Sequence, residues 1–270
     1  MTTKRTTKKR WKSAAGVRLL RLAGEASSVE DAIRLMGRRL LEDVDCPPTD
    51  LDALMRKLNV VDAEPRDGLT ASGALLKTAE GLKIVYSSDL SVGRQRWTIA
   101  HELGHALFET TGPRPPRRGR ELERLCDMIA AELLMPWDRF CPLVRAELSV
   151  EMILRLAHSF RTSVAATAIR CAEVAGVSVF ETERRSVRWG YGVVRTSSDV
   201  ASRDTLRQTV VDALQSESGS ADLILTFSRR TSRWFLQWKR VGSQDRRIFL
   251  LYPILADDRL CSSDKPVAPR

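Results

Sequence analysis

The spacing of apolar positions divides the chain into a mainly helical first part and a strand-rich end. Ala14 to Val44 carries a helical period, with Leu20, Ala23, Ala32, Leu35 and Leu40 among its apolar positions, until Pro47-Pro48 breaks it. Thr49 to Leu58 predicts a short helix in which Thr49 or Asp50 supplies the N-cap before Leu51, Leu54 and Leu58. Gly73 to Leu76 and Leu82 to Ser87 read as strands on either side of the turn signal Thr78-Ala79-Glu80-Gly81, and predict a hairpin. A helix around Ile99 to Leu107 follows, then a second helix from Glu121 that Pro136 stops. Between them, Thr111 to Arg120 is too rich in proline, glycine and arginine for regular structure and predicts a loop.

Val150 to Val174 predicts two short helices separated by Phe160 to Val164, with Ser163 capping the second and Leu154, Leu156, Ala157 and Phe160 feeding a core. The pair superficially has the spacing of a helix-turn-helix, with Arg155, Arg161 and Arg170 nearby; two helices packed on the preceding domain are the favoured reading. Further on, strand-like runs at Val187 to Val194, Leu223 to Ser228, Arg233 to Lys239 and Arg247 to Tyr252 surround one helix near Ser202 to Leu214. Trp234, Leu236 and Trp238 alternate onto one sheet face. With Arg229, Arg230, Arg233, Lys239 and Arg240 around them, they suit either a core face with a charged rim or a surface for single-stranded nucleic acid; the core is the favoured reading.

These elements predict an α+β chain: a basic disordered tail over 1–13, a first domain over 14–178 including the helical pair, a small α+β domain over 183–260 and a frayed end over 261–270. At 270 residues and 43% hydrophobic content, the chain is long enough for real cores. No run of eighteen apolar residues exists and the N-terminal apolar segment is interrupted by Arg18 and Arg21, so neither a membrane helix nor a secretory signal is expected. Five scattered cysteines, Cys46, Cys126, Cys141, Cys171 and Cys261, lack metal-site spacing and suit a reducing cytoplasm, where the protein is expected. Six of the ten net positive charges come from Lys4, Arg5, Lys8, Lys9, Arg10 and Lys12, which predicts at most weak, nonspecific, salt-sensitive contact with nucleic acid.

The chemistry concentrates in His101-Glu102-Leu103-Gly104-His105, which holds two of the three histidines. Positions i and i+4 of a helix project from nearly the same side, so both imidazoles can reach one metal while Glu102 turns toward an attacking water. Ile99, Leu103, Ala106 and Leu107 gather on the opposite, packing side. A catalytic site of this kind needs a third protein ligand. On the second helix Glu123, Asp127, Ala130 and Leu134 share a face, with Leu125, Cys126, Ile129 and Leu133 on the apolar one; Glu123 is the favoured ligand and Glu121 its rival. Asp127, one turn on from Glu123, suits a carboxylate that takes the second N–H of a ligand histidine. His158, the third histidine, suits an ordinary helix position better than an oxyanion role. The four arginines of the 111–120 loop could steer an acidic substrate segment or simply be solvated, and one strand of the hairpin could offer its edge to an extended substrate.

The run Arg94 to Phe108, with Glu123-x-x-Cys126-Asp127-x-Ile129-Ala130-Ala131-x-Leu133-Leu134-Met135-Pro136, resembles the ImmA/IrrE family of metallopeptidases. With Gly73 to Leu76, Ile84 to Tyr86 and the helices after Pro136, the resemblance spans roughly residues 30 to 175. Trp97 and Ile129 stand where the family usually has phenylalanine, and Cys126 where it has alanine; these change packing rather than chemistry. The resemblance implies a minimal zincin-like core, His101, His105 and Glu123 as ligands of Zn²⁺, or of Mn²⁺ or Fe²⁺, and Glu102 as general base. It also implies a protein substrate, a helix-turn-helix repressor whose cleavage releases stress-response or mobile-element genes. The rival reading is a DNA- or partner-binding regulator that keeps the zincin fold only as a scaffold. A purely structural zinc would close its fourth position with another side chain, which favours the enzyme. The role of the C-terminal domain, sensing or substrate recognition, stays open.

Overall fold

The computed structural model describes residues 13–112, 114–146, 148–183, 186–192, 200–227, 230–241 and 246–253. The expected basic tail and frayed end therefore lie outside the described residues, apart from Ser13. The chain is α+β and divides into two compact units, the first made of residues 1–137 with 160–162, the second of 138–159 with 163–270.

In the first unit, α1 (Ala14–Ala23) and α2 (Val29–Leu40) occupy the stretch with the first helical period. Ser13 and Ser28 cap them by accepting from Gly16 N and Asp31 N. Helix α3 (Leu51–Lys57) starts at Asp50, whose carboxylate accepts from Asp52 N and Ala53 N. Strands β1 (Val60–Arg66), β2 (Gly73–Thr78) and β3 (Gly81–Ser87) form a sheet of order β1-β3-β2, with β1 parallel and β2 antiparallel to β3. Strand β1 was not foreseen, and β2 is an edge. Helix α4 (Val92–Thr110) packs on this sheet and against α5 (Arg120–Leu134), which in turn contacts α1 and α2.

Gly104 sets the α4–α5 approach. A β-carbon there would meet Cys126 Cα at 3.0 Å and Cys126 Cβ at 3.1 Å, so any larger residue would push the two backbones apart by a few tenths of an ångström. Gly73 plays the same part between β2 and α4, where a β-carbon would overlap the Thr98 side chain. Leu125, Cys126, Ile129 and Leu133 are buried as expected, but so are Ala130 and Leu134. The open face of α5 is thus confined to its first two turns, where Glu123 and Asp127 stand.

The second unit contains α6, placed over Trp137–Ala146 and beginning at the last residue of the first unit, then α7 (Val150–Ser159) and α8 (Val164–Ala175). Ser163 caps α8, accepting from Ala166 N at 3.2 Å. An antiparallel sheet of order β5-β4-β8-β7-β6 follows, from β4 (Ser178–Glu183), β5 (Ser186–Tyr191), β6 (Ser218–Phe227), β7 (Arg230–Val241) and β8 (Arg246–Pro253), with α9 (Val200–Ala213) between β5 and β6. Strand β4 is absent from the sequence expectation, and β6 begins earlier than Leu223.

Trp234, Leu236, Phe249 and Leu251 point to one face and pack with Leu206, Val210 and Ala213 of α9; Trp238 joins them at the margin. The alternating tryptophans are therefore core. On the other face, Gln237 accepts from Val150 N at 2.8 Å and Lys239 pairs with Glu151 at 3.0 Å, which ties α7 to β7. Strand β8 is covered on both sides, and Ile248, Phe249, Leu250 and Leu251 are all fully buried. His158 is exposed on α7.

Candidate metal centre

Helix α4 carries His101, Glu102 and His105, and α5 carries Glu123 and Asp127. Their contact brings one ligand atom from each of His101, His105 and Glu123 within 4.8 Å of one another. Glu123 Oε2 lies 3.2 Å from His101 Nε2 and 3.4 Å from His105 Nε2. The two rings stand edge to face, with centroids 5.1 Å apart. Glu121 is not part of this group; its Oε1 is buried without a hydrogen-bond partner.

His101 Nδ1 is 2.9 Å from Asp127 Oδ1. If that contact uses the Nδ1–H, the lone pair sits on Nε2 and turns toward Glu123 and His105. Two imidazole nitrogens and a carboxylate oxygen then crowd one point, three acceptors with no donor among them in the neutral tautomers. That donor set fits a borderline divalent cation such as zinc.

The charges around the rings differ. Burial opposes a charged His101, but the hydrogen bond and charge of Asp127, with Glu102 and Glu123 behind it, hold its pKa above the ordinary histidine value. At His105 burial prevails over the nearby Glu123, with His101 and Arg118 adding to it, and the pKa falls.

Glu102 is 7% exposed, the most enclosed carboxylate of the group. Burial first, then the Glu123 charge, push its pKa up against the opposing effects of His101, Arg118 and a backbone hydrogen bond from Leu75. Leu75 belongs to β2, so the edge strand and Glu102 meet at the same place. A carboxylate made more basic in this way is better suited to accept a proton.

The α4–α5 loop has no regular structure among its described residues, as expected from its composition. Arg18 on α1 anchors it, donating from Nη1 to Phe108 O at 2.9 Å and from Nη2 to Arg114 O. The charge of Arg118, from the loop, reaches both Glu102 and His105. Arg18 was not anticipated as a neighbour of the site and carries no local signal, since its partners are remote in sequence, whereas Leu75 lies in the hairpin expected to offer an edge there.

Residues 56–172 match the Peptidase_M78 family, described as the IrrE N-terminal-like domain. The matched stretch, similar to a family of metallopeptidases, holds all five residues of the candidate centre. Among solved structures, a Mycobacterium tuberculosis transcriptional regulator has a similar fold, with a TM-score of 0.54 at 13% identity over 88% of this chain and 78% of that one. No curated protein matches the chain. Among the described residues no helix is long and apolar enough to cross a membrane.

Proposed function

We propose that this chain is a cytoplasmic metallo-endopeptidase that cuts a protein substrate, a helix-turn-helix transcriptional repressor, with His101, His105 and Glu123 as metal ligands and Glu102 as general base. The observation that carries the reading is the convergence of two imidazole Nε2 atoms and Glu123 Oε2 beside the buried, basic Glu102. A divalent cation, zinc by its donor set, would supply a Lewis acid that polarises the scissile carbonyl and acidifies water.

The rest falls to the chain's own groups. Glu102 takes a proton from the attacking water at its carboxylate and passes it to the leaving amine. Asp127 holds the His101 ring in place. The open edge of β2 offers main-chain groups to an extended substrate, and Leu75 places that edge next to Glu102. Arg118 adds positive charge at the cleft and favours acidic residues near the cut. The division into a peptidase domain over 14–178 and a sensing or substrate-recognition domain over 183–260 belongs to the same proposal.

A second reading, a regulator in which this fold is only a scaffold, draws on the fold shared with the Mycobacterium tuberculosis transcriptional regulator. The placement of the enclosed Glu102 beside the three convergent ligand atoms favours the enzyme, because a purely structural site has no need of a fourth carboxylate held next to it. The deciding experiment incubates the purified chain, with zinc and with a chelator, against the product of a neighbouring helix-turn-helix gene. Zinc-dependent fragments support the peptidase; an intact repressor under all conditions, with repression still relieved in cells, supports the scaffold.

A further inference from the structure

A cleft of about 760 Å³ opens in the first unit, and none of His101, Glu102, His105 or Glu123 lines it. Its size is that of a small-molecule site. Leu51, Met55, Tyr86 and Ile99 give it apolar walls, and two cations, Arg96 and Arg161, also line it.

Arg96 is held in a way that leaves one of its donors unanswered. Arg96 donates from Nη2 to Thr49 O at 2.6 Å, but its Nε–H is buried without a partner. A buried donor of this kind is uncommon and asks for an acceptor. Burial and the nearby Arg161 charge together weaken its hold on its proton, against Cys46, Asp50 and Asp52. Arg161 has φ +50°, a left-handed conformation that a side chain other than glycine or asparagine seldom takes. Arg161 is exposed at the same cleft, just past the end of α7, and its charge is close enough to act on Arg96.

The rim narrows the choice. Asp45, Asp50 and Asp52 are exposed around the mouth, and Asp50 is engaged in capping α3. Three carboxylates repel polyanions such as nucleic acid, whereas one anionic headgroup can reach the arginines with an apolar body along the walls.

We infer that this cleft binds a small organic anion, a carboxylate or phosphate monoester with an apolar body, through Arg96 and Arg161. The inference is independent of the proteolytic reading. It makes the peptidase-family domain itself a ligand-binding unit, with a site lined by residues other than the candidate metal ligands.

The test uses the full chain, with hexanoate, hexyl phosphate and 1-hexanol as probes, read by thermal unfolding and titration calorimetry. Hexanoate or hexyl phosphate should bind saturably and 1-hexanol should not; whichever anion binds more tightly names the headgroup. Arg96→Gln removes the Thr49 tether as well and can unfold the region, so Arg161→Gly is the cleaner variant, because glycine accepts φ +50° without strain. Arg161→Gly should keep the unliganded melting temperature and the bound metal while weakening the anion about tenfold or more, the loss expected for one charge-assisted hydrogen bond. No binding by wild type, equal binding of 1-hexanol, or unchanged anion affinity in Arg161→Gly overturns the inference. So does an Arg161→Gly protein that binds the probes normally but captures its protein substrate poorly, which would make the cleft a substrate exosite.

Discussion

Asp127 Oδ1 lies 2.9 Å from His101 Nδ1, one turn along α5 from Glu123, so one helix face carries both a candidate ligand carboxylate and the group placed to orient a candidate ligand histidine. A carboxylate in this position fixes the ring and makes Nε2 a better donor to a metal. Asp127→Ala should leave the fold intact and weaken zinc binding about 10- to 100-fold, read by competition with a chromophoric chelator. Unchanged affinity would make Asp127 a solvated neighbour.

Glu123 and Glu121 are separated by the register of α5. Glu123→Ala should remove the metal, whereas Glu121→Ala should keep it, as measured by metal content after dialysis. The reverse result would mean that α5 is rotated relative to α4 in solution.

Gly104 makes that register possible. Valine at this position places a β-carbon against Cys126 Cα and Cβ, which are backbone and near-backbone atoms that cannot swing away. Gly104→Val should destabilise the first unit by about 1–3 kcal/mol in urea unfolding, the usual range for overpacking, and weaken metal binding at the same time. A variant of wild-type stability and metal affinity would show that the helices tolerate a wider separation.

Much of this centre was legible because its signals are local. The His101–His105 pair, the apolar sides of α4 and α5, and the caps at Asp50 and Ser163 each depend on residues within one or two turns. What was missed depends on remote partners. Strand β1 carries Asp62, Glu64, Pro65 and Arg66 and reads as a loop, yet it pairs in parallel with β3 as an edge, where proline and charge are tolerated. Strand β4 lies between β5 and β8 but contains Glu181 and Thr182, polar residues that look solvated. Glu181 is buried because Trp189 donates to it and Arg246 lies 3.7 Å away, contacts that only the folded sheet creates.

The inward turn of Trp234 and the packing of Trp238 also change the expectation for nucleic acid. Single-stranded DNA should bind weakly, through charge alone, and be released as salt approaches about 0.2 M. Tryptophan fluorescence should not be quenched by stacking during such a titration. Salt-resistant binding with strong quenching would mean that the sheet opens to expose these rings.

Glu102 decides between peptidase and scaffold. It is enclosed, its basicity is raised, and the Leu75 amide holds it at the β2 edge, where a substrate backbone would lie. Glutamine keeps the shape and can still accept that amide through its carbonyl oxygen, but it cannot take a proton from water. Glu102→Gln should therefore retain zinc and substrate binding while repressor cleavage falls by a factor on the order of 10² or more, seen mainly in kcat. Fragment formation followed on gels, with zinc content and substrate capture measured on the same preparations, separates lost chemistry from lost assembly. Equal cleavage by wild type and Glu102→Gln would remove Glu102 from the mechanism. Loss of zinc together with activity would instead assign it a structural part in holding α4 against β2.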